Sequence, residues 1–294
     1  MSVWKAISIL IRWPNLLFIA LTQGLSWLCL VHPALGYENP FSPKQLYLLF
    51  CTVLIAAAGY MINDYFDWQI DTINKPERVV IGKSVQRRSI ILLHFFFNAL
   101  ALCFAYSAIE TNTSRWVLAW PAVSILLLWF YSTTFKRKLV IGNLVVACMT
   151  ALTVAMPAIF TWTHFQKAEA SSRFHLGLYV AFAFLITFIR EIIKDIEDIK
   201  GDASQACQTI PLVWGINVAR YLVDGFWLLL MGLLVSIRLF PFETSPHAWV
   251  YPMLLIPIPW LMYSMHRAKT SRDYHQVSTW VKVYTLLGIL SMVF

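Results

Sequence analysis

Phe174-His175-Leu176-Gly177-Leu178-Tyr179-Val180-Ala181-Phe182-Ala183-Phe184-Leu185-Ile186-Thr187-Phe188-Ile189 carries no formal charge, and Arg190-Glu191-Ile192-Ile193-Lys194-Asp195-Ile196-Glu197-Asp198-Ile199-Lys200-Gly201-Asp202 follows it without a break. The second segment has helical spacing: Ile192, Ile193, Ile196 and Ile199 form one stripe, and Glu191, Asp195, Asp198 and Asp202 fall on another face. An apolar helix that runs into clustered acids is one that leaves hydrocarbon and meets water. The stretch therefore reads as a membrane-spanning helix with a carboxylate-lined end, and Gly201 is placed to end or bend it.

The rest of the chain repeats the apolar half of this pattern. Apolar residues make up 59% of the 294 and charged residues 13%, outside the balance of a water-soluble domain. Charge-free runs cover 13–37, 45–63, 89–109, 116–135, 139–166, 174–189 and 244–266, most of them near the roughly 20 residues that span hydrocarbon. Two less clean helices lie near 219–240, with Asp224 near its start, and near 277–294, interrupted by Lys282. The expectation is an all-α membrane protein of about nine transmembrane helices. No soluble domain remains between them. The first apolar run is too long for a signal-peptide core and lacks a small-residue cleavage site after Val31, so it reads as an uncleaved first helix.

Charge placement orients the bundle. With the N-terminus inside, only Lys44, Arg115, Lys167, Arg173 and Arg238 of the 23 Lys and Arg residues fall outside, and Lys282 sits within the last helix. This is a positive-inside pattern, and it puts the active face in the cytoplasm of an inner-membrane protein. The net charge of +8 follows from topology and contact with anionic lipid, so no nucleic-acid partner is expected. The five cysteines form no CxxC pair and read as packing residues; the seven histidines form no HxxxH pair, which argues against zinc.

A second stretch shares the acidic spacing. Asp64-Tyr65-Phe66-Asp67-Trp68-Gln69-Ile70-Asp71 places Asp at i, i+3 and i+7, as Asp195, Asp198 and Asp202 do, and Asn63 stands one turn before Asp67. Each stretch is expected where a helix, the second or the sixth, meets the cytoplasm, and each leads into a Pro-containing loop. The pairing hints at a duplicated bundle around a central cavity. Charged helix ends are ordinary at a membrane surface, but one spacing used twice on one side is not. Clustered carboxylates repel unless a cation joins them, and hard oxygen donors suit Mg²⁺ or Ca²⁺.

These residues resemble a family. Asn63-Asp64-x-x-Asp67-x-x-x-Asp71, followed by Ile73-Asn74-Lys75-Pro76-x-Arg78, is similar to the first signature of the UbiA superfamily of intramembrane prenyltransferases. Arg190 to Asp202 is similar to the second, and Arg12-Trp13-Pro14-Asn15 opens the first helix as in that family. The wording of the second motif is most similar to the branch that alkylates geranylgeranylglyceryl phosphate.

The resemblance implies one intramembrane domain over 1–294 that uses Mg²⁺ to transfer a prenyl group from a prenyl diphosphate to a lipophilic acceptor in isoprenoid lipid biosynthesis. By it, Asn63, Asp67, Asp71, Asp198 and Asp202 hold the metal, Asp64 and Asp195 support those ligands or occasionally join them, and Asp64, Asp195 and Lys194 are the catalytic candidates. Lys75, Arg78, Lys136, Arg137 and Lys194 are the cations for the diphosphate, with Tyr131 and Asn15 beside them. Lys136-Arg137-Lys138 also serves as a topology signal. The branch usually carries Lys-Thr-Leu-Pro after the second motif, where this chain has Gln208-Thr209-Ile210-Pro211. That departure bears on the acceptor, not on the metal ligands. An aromatic acceptor of the 4-hydroxybenzoate or 1,4-dihydroxy-2-naphthoate type is the alternative. An ion-coupled transporter, a silent lipid-binding protein and a prenyl cyclase are others. Membrane lipids are expected around the chain, with no obligate protein partner.

Overall fold

A computed structural model describes residues 3–74, 80–82, 85–110, 113–204, 207–236 and 250–294. The main helices are α1 (Trp13–Leu25), α2 (Pro43–Asn74), α3 (Arg87–Ser107), α4 (Ala119–Thr133), α5 (Ile141–Phe160), α6 (Ala170–Glu197), α7 (Ile216–Ser236), α8 (Pro257–Arg267) and α9 (Ser271–Leu290). A short helix, Val3–Leu10, precedes α1, and a π-helical turn at Ser26–Val31 extends α1 toward Leu35.

Among the described residues, eight helical segments are long and apolar enough to cross a membrane. The run expected over 244–266 is not among them: residues 237–249 lie outside the described ones, and Val250–Leu255 and α8 are short helices separated at Ile256. Pro252, Pro257 and Pro259 account for that division, since proline removes a helical donor and crowds the preceding turn.

The chain divides into two units, Met1–Lys136 with Ala155–Ala168, and Arg137–Val154 with Glu169–Phe294. Each carries one acidic stretch. In the first, α1, α3 and α4 pack on α2. A Cβ at Gly59 would lie 2.9 Å from Leu128 Cδ1, so the glycine lets α4 approach α2 closely. His94 on α3 is buried and locks the same packing: its Nδ1 donates to the Ala58 carbonyl at 3.0 Å, and its Nε2 accepts from Asn98 Nδ2 at 3.1 Å. The carbonyl can only accept, which fixes the tautomer.

In the second unit α7 and α9 pack on α6, around Ile186, Ile189, Ile192, Ile193, Trp227 and Val281. Hydroxyls within the spans return to their own helices, as Thr22 does to Phe18 O (2.7 Å), Ser124 to Trp120 O (2.8 Å) and Thr150 to Val146 O (3.0 Å). No lipid-facing group could satisfy them otherwise. Leu17, Leu92, Phe96, Leu126 and Leu228 remain exposed. In water this would be an aggregating surface; in a bilayer it meets hydrocarbon.

Candidate active site

In the first unit the acidic stretch lies on the unbroken last turns of α2, so Asn63, Asp64 and Asp67 keep the helical register expected of them. Asn63 Nδ2 donates to Asp67 Oδ2 at 2.9 Å, and the Lys136 ammonium pairs with Asp67 Oδ1. Arg12 Nη2 donates to Asp64 Oδ1 at 2.8 Å, while its guanidinium lies 5.1 Å from the centre of the Tyr60 ring. Arg12 adopts φ 52° and ψ 53°, a left-handed conformation that costs a non-glycine residue on the order of 1–2 kcal/mol. With its side chain nearly half exposed, the Arg12–Asp64 pair stabilises by only about 0.2–1 kcal/mol. Fold stability alone is thus a poor account of that strained residue. Tyr131 lies near the end of α4.

In the second unit α6 ends at Glu197, and Asp198 takes a non-helical conformation before Ile199–Ser204 resumes. The break therefore falls at Asp198; Gly201, expected to end or bend the helix, lies inside the short helix that follows. Contacts from another helix meet the last residue of α6: Ser271 Oγ donates to the Glu197 carbonyl at 2.9 Å, and His275 Nδ1 lies 2.8 Å from Glu197 Oε1. Asn143 Nδ2 donates to Asp195 Oδ2 at 2.7 Å. The Lys194 ammonium is held by both Glu191 oxygens at 3.0 Å. The Gln208 amide donates to the Arg137 carbonyl at 2.9 Å, so the loop after the acidic stretch is tied to the basic segment by its backbone.

The pattern of the UbiA prenyltransferase family matches residues 25–286. The chain belongs to that family. It is a prenyltransferase and a multi-pass membrane protein. The digeranylgeranylglyceryl phosphate synthase of Thermococcus sibiricus is 30% identical over 262 residues, 88% of this chain and 86% of that protein. A solved structure concerned with digeranylgeranylglyceryl phosphate synthase in membranes shares the fold with a TM-score of 0.74, at 20% identity, over 100% of this chain and 98% of that one. A UbiA homolog from Archaeoglobus fulgidus, bound to DMAPP and Mg²⁺, shares it with a TM-score of 0.62 at 14% identity, over 97% and 99% of the two chains.

Within this family member, Asn63, Asp64, Asp67, Tyr131 and Lys136 fall in the first unit, with Asn15 on the first turn of α1. Arg137, Lys194, Asp195, Asp198 and Asp202 fall in the second. Lys75, Arg78 and the side chain of Asp71 lie outside the described residues. Among the described residues, no three His, Cys, Asp or Glu side chains converge as a ready metal cluster. The donors are nonetheless all hard oxygens, and Asn63 and Asp67 already touch, which suits a small divalent cation that keeps part of its water. Asn143 was missed at the sequence level. Its signal was present, as a carboxamide near the start of the charge-free run 139–166, directly after the basic segment.

Proposed function

We propose that this prenyltransferase joins the prenyl group of a prenyl diphosphate, geranylgeranyl diphosphate by preference, to the free hydroxyl of geranylgeranylglyceryl phosphate. The observation that carries the reading is Asn63 in contact with Asp67 and the Lys136 ammonium on that same carboxylate: a hard-oxygen donor pair with a cation beside it, as a metal-bound diphosphate requires. The acceptor is supported by the activity named for the Thermococcus relative, and the metal by the Mg²⁺ in the Archaeoglobus homolog.

Asn63, Asp67, Asp71, Asp198 and Asp202 would hold Mg²⁺, which when bound neutralises the diphosphate so that its allylic carbon–oxygen bond can break. Lys75, Arg78, Lys136, Arg137, Lys194, Tyr131 and Asn15 bind and orient the departing diphosphate. Arg12 holds the Asp64 carboxylate and Asn143 the Asp195 carboxylate, the two groups proposed to support those ligands. The hydroxyl attacks the freed carbon, and its proton leaves with the diphosphate or passes to a carboxylate. The acidic ends of α2 and α6 face the cytoplasm of the inner membrane, the whole chain works as one domain over 1–294, and no obligate protein partner is needed.

Incubating the purified protein in detergent with Mg²⁺, labelled geranylgeranyl diphosphate and a panel of acceptors tests this. Geranylgeranylglyceryl phosphate should be alkylated well, 4-hydroxybenzoate and 1,4-dihydroxy-2-naphthoate poorly, and chelation should abolish turnover until Mg²⁺ returns. Faster alkylation of an aromatic acceptor overturns the acceptor; full activity in excess EDTA overturns the metal.

A further inference from the structure

Lys282 stands in the middle of α9, where a charge-free helix would be the cheaper way to span a membrane. A lysine placed only for topology belongs at a helix end. The packing of α9 on α6 gives its level. His275 meets Glu197 at 2.8 Å, a Cβ on Gly288 would lie 2.3 Å from the Phe182 ring, and Tyr179 Oη meets Ser291 Oγ at 3.1 Å. These pairs define an antiparallel register in which Lys282 is level with Arg190, each two turns from the Glu197–His275 contact. The two positive charges act on one another. Two cations side by side within a span repel, and low-dielectric surroundings sharpen the repulsion.

The carboxylate within reach of Arg190 is already engaged. Glu191 lies 3.5 Å from Arg190 Nη1 and binds Lys194 with both oxygens at 3.0 Å. Arg190 Nε is buried and, among the described residues, has no hydrogen-bond partner. A buried donor left unmatched carries a desolvation cost that an anion seated there would relieve.

We propose that Arg190 and Lys282 form a phosphate site for the lipid acceptor. The proposal rests on the glycerophosphate reading above. Arg190 lies eight residues, or about 12 Å, along α6 from Asp198, too far to share a diphosphate held there. That span accommodates the donor's allylic carbon and the glycerol unit laid end to end, with the acceptor's phosphate at the Arg190–Lys282 end. The guanidinium fork and the lysine ammonium together suit a phosphate monoester better than a single-charged carboxylate.

The test compares wild type, Lys282→Met, Lys282→Arg and Arg190→Met in detergent, using the thermal shift given by lipid ligands. Geranylgeranylglyceryl phosphate and phosphatidic acid are the phosphate-headed probes; geranylgeranylglycerol and diacylglycerol are the matching alcohols. Wild type should be stabilised more by each phosphate than by its alcohol, Lys282→Met and Arg190→Met should lose that difference, and Lys282→Arg should keep it. In turnover, Lys282→Met should raise KM for the phosphate-bearing acceptor about tenfold or more while leaving KM for the prenyl diphosphate in place. Without ligand, the melt of each variant reports its fold, so a lost ligand shift counts only where that melt stays near wild type. A phosphate preference that is missing in wild type, or that persists in both Met variants, overturns the site. A preference that depends on Lys282 in a protein that does not alkylate geranylgeranylglyceryl phosphate overturns only the acceptor reading.

Discussion

Asp67 receives the Asn63 amide on one oxygen and the Lys136 ammonium on the other, so its charge is shared between a neutral donor and a cation. Two outcomes separate these neighbours. Asp67→Ala and Asp198→Ala remove proposed metal ligands at helix ends and fill no core; kcat/KM should fall by about 10²–10³-fold while the thermal melt stays near wild type. Lys136→Met should divide the effects. An ammonium on Asp67 competes with any other cation for that carboxylate, so half-maximal activity should need several-fold less Mg²⁺, while KM for the prenyl diphosphate rises. A titration of Mg²⁺ at fixed substrate, then of substrate at saturating Mg²⁺, reads both; equal loss in each would assign Lys136 to folding instead. The Asn63–Asp67 contact was legible in the sequence because it is set by i,i+4 spacing. The Lys136–Asp67, Arg12–Asp64 and Asn143–Asp195 pairs were not, because each joins helices far apart in the chain and spacing carries no information about them.

Helix positions were legible where apolar length alone decides, as in α3 and α5. They were less so where helices pack or break. Nothing in the local sequence marks Asp198 as the end of α6, and the residues that meet Glu197 there, Ser271 and His275, come from another helix. The glycines show the same limit. Gly288 was an unremarked residue of the last helix, yet it is where α9 touches the Phe182 ring. Gly288→Val should force these helices apart and cost about 1–3 kcal/mol, as overpacked cores do. Phe182→Leu, combined with it, should return part of that loss. A double-mutant cycle on thermal stability would expose the coupling, and strictly additive effects would show that the contact carries no energy.

Each unit sorts its polar contacts by end. In the first, Arg12 with Asp64 and Lys136 with Asp67 gather the start of α1, the end of α2 and the segment after α4. The opposite end holds Tyr37 Oη at 3.2 Å from Glu110 Oε2, with His164 at 3.9 Å from the same oxygen, uniting the loops that follow α1, α3 and α5. Burial and the Glu110 carboxylate push the Tyr37 hydroxyl up to about 12, so it remains a protonated donor across ordinary pH. In the second unit the Arg220 guanidinium reaches the Ala268 carbonyl at 2.6 Å and the Tyr274 hydroxyl, joining the start of α7 to the loop before α9. Hydropathy made the apolar spans readable along the chain, while the contacts at their ends were not, because each joins residues distant in sequence; the orientation drawn from the uneven distribution of Lys and Arg remains a proposal. The proposed orientation is checked by placing single cysteines in a chain whose own five are replaced. Positions beside Arg88, Lys138 and Lys269 should react with an impermeant thiol reagent only when it reaches the cytoplasmic face, and those beside Lys44 and Lys167 only from the other. External labelling beside Arg88 or Lys269 would invert the bundle and carry both acidic helix ends out of the compartment where Mg²⁺ and prenyl diphosphate are proposed to meet them.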